Sequence, residues 1–260
     1  MDKTTIIAKE VTGLKNPILI EGLPGIGLVG KLAADHMIKE LKAEKIAELY
    51  SPHFPHQVLM LKKGILRMLK NKFYLWRNPD PNGSDVIILI GDVQAITSEA
   101  QFEVCGAIID YFKKLGGNTI YTLGGYGTGK VVEKPKVFGS ATHKDIMKDY
   151  EKHGVIFGEA NGSIIGAAGL LLGLGKLDGM KGVCLMGETH GGYVDAKSAQ
   201  SVLEMLSKII GTQMDLSKLS HRAKESERFM KKMESEAKKQ QNAMAGGVLP
   251  LNKDDISYIR

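Results

Sequence analysis

A strand, a glycine-rich turn and the start of a helix follow one another in residues 18–30, which read ILIEGLPGIGLVG. The apolar run at 18–21 predicts the strand, and residues 29–41 have the pattern of a helix. Because the chain passes from strand to helix through a tight turn, this stretch predicts an α/β fold.

The same turn matches the dinucleotide-binding pattern GxGxxG at Gly25, Gly27 and Gly30, between a strand and a helix as the pattern requires. Two features argue against a cofactor. Pro24 stiffens the turn, and the sequence LYSP at 49–52 gives the next strand no acidic end. We therefore favour a structural loop in which glycines allow close backbone packing. Its four glycines are Gly22, Gly25, Gly27 and Gly30.

Alternating strand and helix patterns fill most of the chain beyond this turn. Strands are predicted by apolar runs at 46–51, 86–90, 119–123, 137–141, 155–157 and 183–186. Helices are predicted at 98–115, with a Ser98 cap, and at 144–153, 164–172 and 196–210. Short runs at 58–61, 65–69 and 73–77 indicate an antiparallel meander. These patterns predict a single α/β domain over residues 1–212, with a mixed β-sheet flanked by helices on both faces.

A long charged helix is predicted to follow this domain, as an arm over residues 213–245. Apolar or small residues recur in it at spacings of three and four, and Glu–Lys pairs four residues apart support it. The resulting apolar seam would pack along the chain's own domain or against a sister subunit. Its main positions are Leu216, Leu219, Met230 and Met233.

Residues 246–260 are predicted to form a flexible tail, which begins at a Gly-Gly hinge and carries two short apolar segments. Disorder without a function is the ordinary expectation for such a terminus. The last segment nevertheless holds Tyr258, a rigid ring with a hydrogen-bonding hydroxyl, and Arg260 next to a carboxylate. These groups are typical of a peptide that binds in a partner's pocket.

The composition is that of a globular protein. Of 260 residues 43% are hydrophobic, which allows a substantial core, and no apolar stretch is long enough to span a bilayer. The net charge of +6 comes from basic residues interleaved with acidic ones, without a nucleic-acid-binding motif. We therefore expect neither nucleic acid nor membrane as a partner. Cys105 and Cys184 lie in separate apolar segments, which indicates two buried thiols in a reducing cytoplasm.

Two further patterns could carry chemistry. Residues 124–130 reproduce GxxxxGK, but Val131 replaces the metal-binding hydroxyl, so we interpret them as a flexible glycine loop. Glu188 and His190 follow a strand, with Asp195 nearby, where open α/β sheets bind ligands. Such residues more often cap helices and hold loops. We predict no catalytic residue, no metal and no cofactor, and keep a small-molecule or nucleotide-binding enzyme as the alternative.

Several segments together resemble the proteasome assembly chaperone family, in its archaeal Pba-type branch. They are residues 20–30, 91–94, 121–126, 161–166, 169–173 and 187–191 with Asp195. The resemblance implies a fold similar to nucleoside-phosphorylase-like sheets, no established catalysis, and homo-oligomeric assembly. It also implies that the carboxy-terminal tail binds proteasome α subunits.

In that family the tail often ends in a hydrophobic residue, a tyrosine and one further residue, which dock between adjacent α subunits. Here the sequence ends ISYIR, with Tyr258 third from the end. The resemblance therefore implies a non-enzymatic chaperone whose partner-binding residues are Ile256, Tyr258, Ile259 and Arg260. A further interpretation is an adaptor whose helical arm binds another protein client.

Overall fold

The computed structural model describes residues 1–158, 162–219 and 221, and within them the chain forms ten strands and five α-helices. The strands are β1 (Thr5–Ala8), β2 (Ile18–Gly22), β3 (Glu44–Tyr50), β4 (Val58–Met60), β5 (Leu66–Met68), β6 (Asn71–Trp76), β7 (Val86–Gly91), β8 (Thr119–Gly127), β9 (Val137–Ala141) and β10 (Lys181–Thr189). The helices are α1 (Val29–Glu40), α2 (Ser98–Lys114), α3 (Met147–Glu151), α4 (Ala167–Leu177) and α5 (Ala196–Ile209).

Eight of the strands form one mixed sheet in the order β1-β3-β6-β7-β2-β8-β10-β9. The four strands β7, β2, β8 and β10 run parallel to one another, and antiparallel strands complete both ends of the sheet. β2 and β7 are buried along their whole length, as expected of apolar strands that are covered on both faces. The predicted mixed sheet with flanking helices is confirmed.

Helices cover both faces of the sheet because successive side chains of each central strand point to opposite sides. Leu19 belongs to the hydrophobic core that α2 and α4 complete. Its neighbours Ile18 and Ile20 belong to a second core, which α1 and α5 complete on the other face. Each face of the sheet therefore has its own core.

The glycine turn between β2 and α1 brings the helix very close to the sheet. A Cβ atom on Gly30 would lie 2.1 Å from the carbonyl oxygen of Leu123, and one on Gly22 would lie 2.4 Å from the Gly30 oxygen. Gly27 has a φ of +61°, in the left-handed region that favours glycine. Gly25 has open space around it. Close backbone packing therefore accounts for Gly22 and Gly30, and backbone conformation accounts for Gly27.

Several elements differ from the predicted pattern. β4 and β5 pair antiparallel as predicted, but they form a separate two-stranded hairpin, so the predicted meander is wrong for its third strand, β6. Residues 155–157 form only an isolated bridge, between Ile156 and Phe138. The cap of α2 is Thr97 rather than Ser98, since the Thr97 hydroxyl accepts the Ala100 N–H at 3.2 Å. The edge strand β1 has no counterpart among the predicted strands.

Local structure explains the main differences. β6 buries every second residue and pairs with both β3 and β7. It therefore belongs to the main sheet and does not pair with the hairpin. Gly166 has a φ of +89°, outside the helical region, so α4 begins at Ala167 instead of residue 164. The helix predicted at 144–153 divides into one 3-10 turn and α3. No helix in the described part of the chain is long and apolar enough to cross a membrane.

After α5 the chain folds back onto α1. The carbonyl oxygen of Asp215 lies 2.7 Å from Nε2 of His36. Leu219 is 1% exposed in the core completed by α1 and α5, and Leu216 packs at the edge of that core. The other seam positions, Met230 and Met233, lie outside the described residues, as do the rest of the arm and the tail.

Candidate functional site

The partner-binding residues predicted from the sequence, Ile256, Tyr258, Ile259 and Arg260, lie outside the described residues. The structure does show where the chain lies up to residue 219, before the arm and the tail. Lys218 Nζ lies 3.0 Å from Oε1 of Glu40, at the end of α1, and the next side chain is the buried Leu219. The chain therefore reaches residue 219 on the face of the sheet that α1 and α5 cover.

The β4–β5 hairpin exposes several large apolar side chains within a short stretch of chain. Met60 is 80% exposed and Leu66 is 66% exposed. A two-stranded hairpin has little stability of its own in water, and a cluster of exposed apolar groups marks a protein-binding surface. We call this cluster the hairpin surface. It consists of Val58, Met60, Leu61, Ile65, Leu66 and Met68.

Ionic contacts fix the hairpin to the end of β7. Nη1 and Nη2 of Arg67 donate to the Asp92 carboxylate at 2.6 and 3.1 Å, and the Lys70 backbone N–H donates to it at 3.0 Å. Burial opposes the ionisation of Asp92, but these bonds outweigh it and lower its pKa. Hydrogen bonds from Lys45 and Lys70 lower the pKa of Glu48 to about 2. The hairpin is thus held in one orientation by charged groups.

A second exposed apolar surface lies where the first turn of α2 meets α4. Ile165 is 89% exposed, Ile96 is 66% exposed and Phe102 is 56% exposed. They border a groove of about 480 Å³, which Leu170 and Gly173 of α4 also line. We call these five residues the groove surface. Like the hairpin surface, it is suited to contact with another protein.

The residues considered for an enzyme are held mainly by local contacts. Asp195 caps α5, since its Oδ1 accepts the Ser198 N–H at 2.9 Å and its Oδ2 accepts the Thr189 hydroxyl at 2.7 Å. Both of its oxygens are therefore occupied, and the helix-capping interpretation is confirmed for this residue. His190 and Glu188 each accept a backbone N–H, at 3.2 and 3.4 Å.

The GxxxxGK segment is in large part a strand. β8 continues through residues 124–127 and pairs in parallel with β10 as far as Gly127, which lies opposite Thr189. The predicted flexible loop is therefore wrong for these four residues, because ladder pairing with β10 keeps their backbone extended. An extended strand cannot wrap its N–H groups around a phosphate as a P-loop does.

Comparison with known proteins gives the chain clear relatives. The sequence model of the PAC2 family matches residues 19–234. The protein MJ1210 of Methanocaldococcus jannaschii is 39% identical over 254 residues, which cover 96% of this chain and 95% of that protein.

Two solved structures from Pyrococcus furiosus are similar over nearly the whole chain. PbaB, described as an archaeal proteasome activator, is 46% identical with a TM-score of 0.86, over 90% of this chain and 100% of that chain. PbaA, described as an archaeal homolog of proteasome-assembly chaperone, is 29% identical with a TM-score of 0.74, over 94% of this chain and 97% of that chain. These matches confirm the resemblance to the Pba-type branch. Sequence and fold together place this chain in the PAC2 family.

Proposed function

We propose that this protein binds the proteasome and assists its assembly or activity without catalysing a reaction. The main support is the similarity to PbaB, which covers the whole of that structure at 46% identity. The similarity to PbaA covers 97% of that chain and adds the comparison with assembly chaperones. Because a fold alone does not determine function, specific surfaces of this chain must carry the binding.

The first of these surfaces is the carboxy-terminal tail, residues 246–260, with the proteasome α subunits as its partner. Ile256 and Ile259 offer apolar side chains, and Tyr258 offers a ring with a hydroxyl. Arg260 offers a cation that can form charge-assisted hydrogen bonds. A cleft between two α subunits that buries the ring and pairs with this cation would bind the peptide.

Residues 213–245 act in this proposal as an arm that carries the tail. The base of the arm is held on the body by the buried Leu219, by Leu216, and by the contact between Asp215 and His36. Met230 and Met233 continue the same apolar seam in the sequence, for packing on this body or on a neighbouring copy. A fixed base limits where each tail can reach, which favours simultaneous binding at matched sites.

Several copies of the chain are proposed to assemble and to present their tails together. The hairpin surface and the groove surface support self-association, because a monomer rarely leaves such apolar groups in contact with water. We propose that a second copy of the chain covers these surfaces, because the family resemblance implies homo-oligomeric assembly and the exposed side chains are apolar. Several tails on one assembly would raise avidity by about 10² to 10⁴ over a single tail.

Deleting residues 256–260 tests the role of the tail. The shortened protein should keep its melting temperature and its oligomeric state, and should fail to capture proteasome α subunits in a pull-down. Tyr258→Ala should lose most of the capture as well, because the ring is the largest apolar group of the segment. Ser257→Ala changes the neighbouring residue and is the matched control. Capture of α subunits by the shortened protein at the level of the full chain would refute this role.

A double substitution in the hairpin surface tests self-association separately. Met60→Glu with Leu66→Glu places two charges among exposed side chains, so the fold should persist while the contact between copies is lost. Native mass spectrometry of the protein alone should then show smaller assemblies than the unsubstituted chain forms. An unchanged distribution of assemblies would show that copies associate elsewhere.

A further inference from the structure

A cavity of about 500 Å³ opens at the carboxyl ends of β2, β8 and β10, where residues 163–168 cover it. The neighbouring strands β7 and β2 lead into α2 and α1, which lie on opposite faces of the sheet. Ligands of open α/β sheets bind beside such a point. The cavity wall is mainly apolar, and Ile26, Tyr126, Ile164 and Met186 form much of it.

Glu21 is the one charged side chain among the described residues that line this cavity. It is 1% exposed, and its Oε1 accepts the Leu23 N–H at 2.7 Å. Oε2 is buried too, and no described residue forms a hydrogen bond with it. Burying a carboxyl oxygen that accepts no hydrogen bond costs free energy. We therefore expect Oε2 to have a hydrogen-bond donor as its partner.

Neutral groups surround Glu21 within the described part of the chain. The strand register places Thr122 of β8 beside it and Cys184 of β10 beside Thr122, and Cys105 of α2 is close enough to be affected by its charge. Burial raises the pKa of each thiol to about 12, and the charge of Glu21 adds to the rise. Burial also raises the pKa of Glu21 to about 7, against the hydrogen bond from Leu23. The residues that the structure describes thus supply this acid with no countercharge.

A second polar side chain in the cavity wall, Gln94, already has hydrogen-bond partners. Its Nε2 donates to the Pro24 oxygen at 2.7 Å. Its Oε1 accepts the Ala167 N–H at 2.9 Å and the Gln101 Nε2 at 3.1 Å. Gln94 therefore holds the start of α4 over the cavity, and the unused oxygen of Glu21 is available to a ligand.

We propose that this cavity binds a small organic cation, an amine on an apolar body, with its nitrogen at Glu21. The volume lies in the range of small-molecule sites. The terminal torsion of a glutamate side chain is soft, so the carboxylate can turn its unused oxygen toward an ammonium group. The ammonium supplies the missing positive charge in a charge-assisted hydrogen bond. The apolar body would lie against Ile26, Tyr126 and Met186.

A purely structural role for Glu21 is the competing explanation, because its Oε1 holds the turn at Leu23. The amide oxygen of a glutamine would accept the same N–H. Glu21→Gln therefore keeps the turn and removes the negative charge, which separates the two roles. Glu188→Gln removes a negative charge at the same edge of the sheet, from a residue that does not line the cavity, and is the matched control.

The test uses the full chain and isothermal titration calorimetry with three amines: phenethylamine, cyclohexylmethylamine and hexylamine. Each is compared with the alcohol of the same skeleton. We expect saturable binding of an amine and at least about tenfold weaker binding of its alcohol. Glu21→Gln should weaken amine binding by about tenfold or more, and Glu188→Gln should not. Because Glu21 must lose its proton to pair with a cation, binding should be about tenfold weaker at pH 6 than at pH 8.

Equal affinity for an amine and its alcohol, unchanged affinity in Glu21→Gln, or no binding of any of the three amines would overturn the proposal. A second variant keeps the test decisive if Glu21→Gln fails to fold. Ala168→Leu fills the cavity from α4 and leaves Glu21 in place. It should abolish amine binding, and unchanged binding in this variant would equally count against the cavity as the site.

Discussion

Replacing Glu21 with glutamine should change how the stability of this protein depends on pH. Burial raises the pKa of Glu21 to about 7 in the folded state, from an ordinary value of 4.5. Between pH 4.5 and pH 7 the folded protein keeps the proton of Glu21, whereas the unfolded protein has released it. The stability gained from this proton is fully present below pH 4.5 and is lost as the pH rises through 7.

The size of the loss follows from the two pKa values. When proton binding is integrated from pH 5 to pH 8, the free energy of unfolding falls by about 2.5 kcal/mol through Glu21 alone. A glutamine cannot ionise, so the variant lacks this fall. The hydrogen bond from the Leu23 N–H is available to the side-chain oxygen of either residue. The turn therefore contributes a similar amount to the free energy of unfolding of the variant and of the unsubstituted protein.

Urea unfolding at pH 5, 6, 7 and 8 measures this difference, with fluorescence of Trp76, the one tryptophan of the chain, as the signal. Relative to the unsubstituted protein, Glu21→Gln should gain about 2.5 kcal/mol between pH 5 and pH 8. Glu188→Gln controls for the loss of a formal charge. The reasoning would be refuted if the free energies of unfolding of Glu21→Gln and of the unsubstituted protein changed with pH in parallel, to within about 0.5 kcal/mol.

Three further sets of substitutions test contacts of the fold. Gly30→Ala brings a Cβ to 2.1 Å from the Leu123 oxygen and should cost at least about 3 kcal/mol, whereas Gly25→Ala has open space and should shift Tm by less than about 2 °C. Equal Tm values for the two glycine variants would contradict this. Asp195→Ala removes the cap of α5 and the partner of a buried hydroxyl, so urea unfolding should show a loss of about 2 kcal/mol. Arg67→Ala removes the bidentate anchor of the hairpin, and amide hydrogen exchange should rise across residues 58–68 and remain unchanged in α5.

The elements at the centre of the fold could be predicted because a short, continuous stretch of sequence indicates each of them. β2 and β7 are unbroken apolar runs, and the glycine turn leads directly into α1. The edges lacked such signals. β1 is largely exposed on both faces, so its pattern is not that of a buried strand. β6 looks like the third strand of a meander until its pairing with β3 and β7 is known, and those partners are distant in sequence.

The candidate sites depend still more on contacts between distant residues. Glu21 ends an apolar run in the sequence, and only the strand order shows that Thr122 lies beside it and Cys184 beside Thr122. The hairpin surface comes from two short apolar runs, at 58–61 and 65–69, but these runs do not reveal which side chains remain in water. The roles of Tyr258 and its neighbours in the tail stay predictions from sequence.

The central position of β2 has a consequence for how this protein is made. Ile18 lies opposite Val86 on one side and Thr119 on the other. Because ribosomes add about 5–20 residues per second, this strand emerges seconds before either neighbour has been synthesised. Pairing of strands across such a sequence distance is slow. Until its neighbours form, an unpaired apolar strand is prone to aggregate. The nascent strand β2 is therefore exposed until its neighbours have been synthesised, and we expect slow refolding after dilution from denaturant.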